Sequence, residues 1–96
     1  MKFVTLWSLK ESVDLAKLAE IIGRRAEYEY PPGIKMVGEY WTSQRSPAVV
    51  SILEADDATG LMINYAAWVD VLDVEVFPVN TWEEGLEGLS KHFAGE

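Results

Sequence analysis

Two acidic residues, Glu54 and Glu75, have the types and positions that best suit acid–base chemistry in this sequence. Each lies in a segment rich in β-branched and aromatic residues, which is typical of a strand. A cavity that shields a carboxylate from water raises its pKa toward neutral pH, where the group works as a general base. We therefore predict Glu75 and Glu54 as candidate catalytic residues acting on an enolisable or phenolic substrate.

A structural role competes with this catalytic one. Pairing two strands around the loop Ser43–Ser46 places Lys35 opposite Glu54, which favours an ordinary cross-strand ion pair. Glu75 shares a strand face with Phe77, and a covered carboxylate there needs a hydrogen-bond donor or a proton. Both interpretations stay open for both residues. The same register predicts three further pairs: Val37 with Ile52, Gly38 with Ser51, and Tyr40 with Val49.

A cavity for a small apolar or aromatic ligand is expected beside these carboxylates. We predict that it is lined by Phe3, Thr5, Trp7, Tyr40, Ser51 and Phe77. Cysteine is absent and His92 is the only histidine, so the sequence indicates no thiolate or histidine metal site. There is also no glycine-rich phosphate loop and no serine elbow. The sequence thus predicts no metal and no cofactor.

Four strands must position these residues. Their β-branched and aromatic runs predict strands at about Lys2–Leu9, Ile34–Thr42, Ala48–Glu54 and Leu72–Val79. Helical spacing between them gives the order β-α-β-β-α-β, and right-handed crossovers then predict a ferredoxin-like α+β sheet. We expect the first and third strands to lie parallel at the centre, with the other two antiparallel at the edges. That arrangement would bring Trp7, Lys35, Glu54 and Glu75 to one end of the sheet.

Three helices complete the predicted fold. Ser12 is expected to cap the first, and Asp56 or Asp57 the second. Thr81 and Glu84 have capping-box spacing for a third, C-terminal helix. The apolar stripe of the first helix is Leu15, Leu18, Ala19, Ile22 and Ala26, and that of the second is Ala58, Leu61, Met62, Tyr65, Ala66 and Val69. Residues 1–80 then form the ferredoxin-like domain, and residues 81–96 are a C-terminal helix and tail of the same domain.

Two helices cover only one face of a four-stranded sheet. On the uncovered face we expect Phe3, Trp7, Tyr40, Val49, Leu53 and Phe77. This apolar patch exceeds what a monomer normally exposes, so a second copy, paired sheet to sheet, is the expected cover. Whether the C-terminal helix packs on its own chain or on the partner stays open.

Charge and length exclude several partners. Eight basic and 16 acidic residues give a net charge of −8, which disfavours binding to nucleic acid. The longest uncharged run, Ala58–Val69, has 12 residues and is too short to span a bilayer. There is no apolar segment of signal-peptide length near the N-terminus. We therefore expect a cytoplasmic protein that binds neither membranes nor nucleic acid.

Four segments resemble a small uncharacterised branch of the dimeric α/β-barrel (ferredoxin-like) superfamily. They are Val37-Gly38-Glu39-Tyr40, Ile52-Leu53-Glu54-Ala55-Asp56-Asp57, Trp68 and Glu75-Val76-Phe77-Pro78-Val79. The resemblance implies a homodimer with a cavity between sheet and helices or between two sheets. It transfers no single activity, since the superfamily includes cofactor-free monooxygenases, haem enzymes, isomerase-like proteins and ligand-sensing domains.

Three functional hypotheses follow. The first is a homodimer that binds or senses a small molecule. The second is a cofactor-independent enzyme of the monooxygenase or isomerase kind that uses the same cavity, with Glu75 or Glu54 as its base. The third is an interaction module whose acidic second half docks a basic partner.

Overall fold

A computed structural model describes residues 1–95 of the chain. In chain order it contains β1 (Lys2–Leu9), α1 (Leu15–Glu27), β2 (Ile34–Trp41), β3 (Val49–Ala55), α2 (Ala58–Ala66), β4 (Leu72–Val79) and α3 (Trp82–Phe93). This confirms an α+β fold with the predicted element order. None of the helices within residues 1–95 has the length and apolar character needed to cross a membrane.

The sheet has the order β2-β3-β1-β4, and every neighbouring pair of strands is antiparallel. The prediction that β1 and β3 run parallel is therefore wrong. A crossover through α1 leaves β2 parallel to β1, and the following hairpin reverses β3, so β3 runs against both neighbours. As a result, Lys35 and Glu54 lie at one end of the sheet, while Trp7 and Glu75 lie toward the other. The predicted convergence of these four residues is also wrong.

A β-bulge in β2 changes which of its side chains face the helices. Lys35 lies opposite Glu54, as predicted, but the register shifts between Met36 and Gly38. Beyond the bulge Gly38 lies opposite Ile52, Glu39 opposite Ser51 and Tyr40 opposite Val50, so the three pairs predicted there are wrong. One extra residue in a strand reverses the faces of all that follow it. Glu39 thereby faces the helices.

The two faces of the sheet also differ from the prediction. Thr5 and Ser51, paired on β1 and β3, are each only 1% exposed, and Trp7 and Leu53 are buried on the same side. Phe3 and Val49 share this helix-covered face by register, so placing Phe3, Trp7, Val49 and Leu53 on the uncovered face was wrong. Tyr40 and Phe77 do lie on the uncovered face, because they pair with Val50 and Val4.

The buried core lies between the sheet and the first two helices. Its central cluster consists of Trp7, Val13, Ile21, Trp68, Val71 and Leu72. Trp68 is 6% exposed and belongs to this cluster. These buried side chains come from strands, from loops and from α1, so no single helical stripe contains them.

The helices begin close to the predicted positions but present different faces. Asp14 rather than Ser12 caps α1, accepting a hydrogen bond from the Lys17 amide at 2.8 Å. Asp57 caps α2, and Thr81 with Glu84 forms the predicted capping box of α3. In α1 the buried residue is Ile21, whereas Leu15 is 84% exposed. In α2 the buried residues are Gly60 and Asn64, so its predicted stripe does not face the core.

Within residues 1–95, two apolar surfaces are left uncovered in the single chain. We name the first the open sheet face. Its apolar residues are Val4, Leu6, Tyr40, Val50, Ile52 and Phe77, none of which is buried, and it also carries Lys35, Glu54 and Glu75. The second, the α3 stripe, consists of Trp82, Leu86, Leu89 and Phe93 and contains no buried residue. The radius of gyration is 16.0 Å, against about 12.5 Å for a compact chain of this length. The longest axis reaches 56 Å.

Candidate functional site

A cavity of about 370 Å³ opens on the helix-covered face of the sheet. Its apolar wall includes Trp7, Ile21, Trp41, Trp68 and Leu72. Tyr28 also lines it and packs edge-on against Trp68, with ring centroids 5.3 Å apart. Aromatic side chains of this kind offer flat apolar surfaces on which a planar ligand can stack.

Glu39 is the centre of a hydrogen-bonded cluster in the cavity wall. Arg25 reaches it from α1, with Nε 2.9 Å from Oε2 and Nη2 3.0 Å from Oε1. The Tyr30 hydroxyl donates to Oε1 at 2.7 Å, and Trp41 Nε1 donates to Oε2 at 2.9 Å. This bidentate pair with two further donors is the strongest class of side-chain contact. The cluster joins α1 to the edge strand β2.

The charges of this cluster are set by its hydrogen bonds. Burial raises the pKa of Glu39, but the donors from Arg25, Trp41 and Tyr30 outweigh it and hold that pKa below its ordinary value. Burial, together with the hydrogen bond to Glu39, raises the pKa of Tyr30. At neutral pH Glu39 is thus ionised and Tyr30 protonated. A carboxylate with so many donors is a weak base, so the cluster positions side chains rather than abstracting protons.

Buried hydroxyl groups form the floor beside this cluster. Trp7 Nε1 donates to Thr5 Oγ1 at 3.0 Å, and Thr5 Oγ1 lies 2.7 Å from Ser51 Oγ. Trp7 and Ser51 line the cavity, and Thr5 connects them. Within residues 1–95 no buried side-chain nitrogen or oxygen lacks a partner. The floor is therefore rigid and already satisfied without a ligand.

The β2–β3 loop supplies a polar rim. Thr42, Ser43, Gln44 and Arg45 all line the cavity. Arg45 Nη2 donates to the backbone carbonyl oxygens of Lys10 at 2.9 Å and Val13 at 3.2 Å. These contacts tie the loop to the segment before α1 and hold the guanidinium at the rim.

Residues 1–93 match the family described as a domain of unknown function, DUF3303. The chain belongs to the DUF3303 family. The match covers the predicted ferredoxin-like domain and the whole of α3. No curated protein and no solved structure shows significant similarity to the chain. The resemblance to the dimeric α/β-barrel superfamily therefore stays a prediction.

The structure places some of the predicted ligand-binding residues of this DUF3303 chain at the cavity. Trp7 and Ser51 line it, and Thr5 lies beneath them in the hydroxyl network. Phe3 shares the same sheet face by register but is not part of the lining. Tyr40 and Phe77 lie on the open sheet face, on the other side of the sheet. The predicted set is thus divided between two faces.

The predicted catalytic carboxylates lie away from this cavity. Glu75 pairs with Leu6 on the open sheet face, where it is exposed. Glu54 lies on the same face, with Oε1 3.6 Å from Lys2 Nζ rather than in contact with Lys35. Their catalytic roles stay a prediction. Within residues 1–95 no group of three or more His, Asp or Glu side chains is arranged to hold a metal ion.

No site role is predicted from the sequence for five residues of the cavity: Arg25, Tyr30, Glu39, Trp41 and Arg45. A signal existed for Arg25, which lies one helical turn after the buried Ile21 and so shares its face. Glu39 had no such signal, because its orientation depends on the bulge that precedes it. Arg45 belongs to a short polar loop, whose placement local pattern does not determine.

Proposed function

We propose that this DUF3303 chain is a homodimer that binds a small molecule in the cavity between its sheet and its first two helices. The observation that carries the proposal is the cavity itself. Its volume of about 370 Å³ is typical of sites for small ligands, and such sites combine apolar walls with a few fixed polar groups. Here the walls are aromatic and aliphatic, and the Glu39–Arg25 pair and the loop residues 42–45 supply the polar groups.

The homodimer is supported by the two apolar surfaces that the single chain leaves exposed. Trp82 and Phe93 in the α3 stripe are 76% and 81% exposed, and Phe77 on the open sheet face is also exposed. A helix with a one-sided apolar stripe normally buries it against another surface. A two-fold pair covers both surfaces at once, since each copy offers a sheet face and a helix to the other.

The enzyme hypothesis has weaker support. Its predicted bases, Glu54 and Glu75, lie on the open sheet face, and the carboxylate at the cavity, Glu39, is held by Arg25. The interaction-module hypothesis rests on the negative charge of the chain. We therefore propose binding, without a chemical step.

Ligand binding can be tested with naphthamide, a neutral flat probe, and the indole signals of proton–nitrogen correlation spectra. Trp7, Trp41 and Trp68 line the cavity, whereas Trp82 lies in α3, so the four tryptophans report the location of binding. We expect naphthamide to shift the indole signals of Trp7, Trp41 and Trp68 and to leave the indole signal of Trp82 unchanged. Shifts confined to Trp82, or none up to the solubility limit, would contradict the proposal.

A matched pair of variants distinguishes the cavity from other apolar surfaces. Ala48→Phe fills the cavity, which Ala48 lines, while Ala26→Phe makes the same change on an exposed position of α1. We expect Ala48→Phe to abolish the indole shifts and Ala26→Phe to keep them. Equal responses would show that naphthamide binds elsewhere.

The dimer can be tested separately by sedimentation equilibrium at micromolar concentration. We expect twice the 10.8 kDa mass of one chain. Phe77→Asp places a charge on the open sheet face and should produce single chains, whereas Met62→Asp on the exposed side of α2 should not. A single-chain mass for the unmodified protein would rule out the homodimer and leave the cavity unaffected.

A further inference from the structure

We propose that the ligand of this cavity is a flat aromatic molecule with one negative charge, and that Arg45 binds its charged end. This inference rests on the proposed small-molecule function and specifies its ligand class. Three observations support it: the ion-pair pattern of the chain, the hydrogen bonds of Arg45, and the composition of the cavity wall.

Most cations of the chain are already neutralised. Six of its eight Lys and Arg residues lie within 4.0 Å of a carboxylate oxygen: Lys2, Lys10, Lys17, Arg24, Arg25 and Lys91. Within residues 1–95, Lys35 and Arg45 have no such partner. Lys35 lies in β2 on the open sheet face, whereas Arg45 lines the cavity. In a chain of net charge −8, Arg45 is thus a cation at the cavity without a carboxylate partner among residues 1–95.

The guanidinium of Arg45 is anchored and still has donors to offer. Its Nη2 bonds to the carbonyl oxygens of Lys10 and Val13, which fixes its position at the rim. Its Nε and Nη1 have no acceptor within residues 1–95. An arginine presents five N–H groups in a planar fork, which matches a carboxylate or a phenolate. Arg25 is different, because Glu39 already balances its charge.

The rest of the cavity favours an aromatic body for the ligand. Trp7, Trp41 and Trp68 provide flat faces, and Tyr28 packs edge-on beside Trp68. Ser43 and Gln44, next to Arg45, add a hydroxyl and an amide at the polar rim. An apolar ring system would contact the tryptophans while its charged group faced the β2–β3 loop.

The test compares the binding affinities of naphthoate and naphthamide, both substituted at the same ring position. The two probes have the same shape and differ in charge. We expect naphthoate to bind roughly tenfold more tightly, as a charge-assisted hydrogen bond provides. Arg45→Gln should reduce this ratio to about one by removing the charged donor. Lys35→Gln makes the same charge change outside the cavity and should leave the ratio intact. Affinities come from titration of the Trp7, Trp41 and Trp68 indole signals.

Each alternative result of this binding test refutes one specific part of the proposal. Equal affinities of the unmodified chain for the two probes refute the charge preference while the cavity proposal stands. If Lys35→Gln and Arg45→Gln lose the preference for naphthoate over naphthamide equally, that preference depends on the net charge of the chain. This result refutes the role of Arg45. If neither probe shifts the cavity indoles, the proposed function fails as well. Should Arg45→Gln fold poorly, two further measurements test the same contact. One is naphthoate binding to Arg45→Lys, which keeps the charge. The other is the salt dependence of naphthoate binding to the unmodified chain.

Discussion

Arg25 donates two hydrogen bonds to Glu39, from Nε to Oε2 at 2.9 Å and from Nη2 to Oε1 at 3.0 Å. The pair connects the middle of the fold to its edge, because α1 packs over the sheet whereas β2 has a strand neighbour on one side only. It also shapes the cavity wall that both residues line. Stability and ligand binding are therefore expected to depend on the same contact.

Replacing Glu39 by Gln should destabilise the domain by about 1–3 kcal/mol. The substitution keeps the shape of the side chain but leaves the Arg25 guanidinium without its anion. Urea unfolding measures the change. Glu20→Gln is the control, since Glu20 pairs with Lys17 on the exposed side of α1 and should matter by less than about 0.5 kcal/mol. If Glu39→Gln and Glu20→Gln lose equal free energies of unfolding, the Glu39–Arg25 pair contributes no more than a surface ion pair.

The Glu39 carboxylate should also make stability depend on pH. Its pKa is lower in the folded chain than the ordinary value of 4.5. The stabilisation is therefore fully present above pH 4.5 and is lost as the pH falls through the lowered folded-state pKa. The free energy of unfolding, measured in urea from about pH 2 to 6, should fall less steeply on the acid side in Glu39→Gln. Parallel acid slopes in the two proteins would refute the assignment.

The hydroxyl network under the cavity predicts a ranking of two variants. Thr5→Val removes the partner of both Trp7 Nε1 and Ser51 Oγ, so it leaves two buried groups unsatisfied. Ser51→Ala leaves Thr5 able to accept from Trp7 and to donate to the Ser51 carbonyl at 3.4 Å. We expect Thr5→Val to cost about 2 kcal/mol in urea unfolding and Ser51→Ala about half as much. A larger loss of unfolding free energy in Ser51→Ala than in Thr5→Val would show that Thr5 is not the central member of the hydroxyl network.

Two helical glycines should respond in opposite directions to the same substitution. A Cβ at Gly60 of α2 would lie 2.8 Å from Ile34 Cγ1 and 3.4 Å from the Pro32 carbonyl oxygen. Gly60→Ala should therefore reduce the melting temperature, at a cost of about 1–3 kcal/mol. A Cβ at Gly23 of α1 meets nothing within 4 Å, so Gly23→Ala should stabilise by about 0.5–1 kcal/mol through helix propensity. A neutral or stabilising Gly60→Ala would contradict the close approach of α2 to β2.

Local features of the fold could be predicted because their causes are local. The Thr81–Glu84 capping box and the start of α2 at Asp57 each depend on residues within one helical turn. The pairing of Lys35 with Glu54 follows from counting outward from a short loop. That count fails beyond Met36, because a bulge shifts the register between Met36 and Gly38. A glycine inside a strand is compatible with a bulge but does not by itself fix the register.

The candidate site could be predicted only in part for the same reason. Trp7 and Ser51 both line the cavity, but Trp7 lies on the helix-covered face and not on the uncovered face predicted for it. Both faces of the sheet carry apolar residues, so alternation alone did not distinguish the covered face from the open one. Glu39 was visible as part of a strand, whereas its contact with Arg25 joins two residues that lie 14 positions apart in different elements.

The sequence by itself determined the class and order of the elements, the absence of cysteine chemistry and the negative charge of the chain. These are properties of composition and of patterns within a few residues. Only the tertiary structure decided that β3 runs against β1, that Glu39 turns toward Arg25, and that Arg45 reaches the cavity. Each of these depends on which distant surfaces pack together, and packing is settled by the whole fold rather than by any one segment.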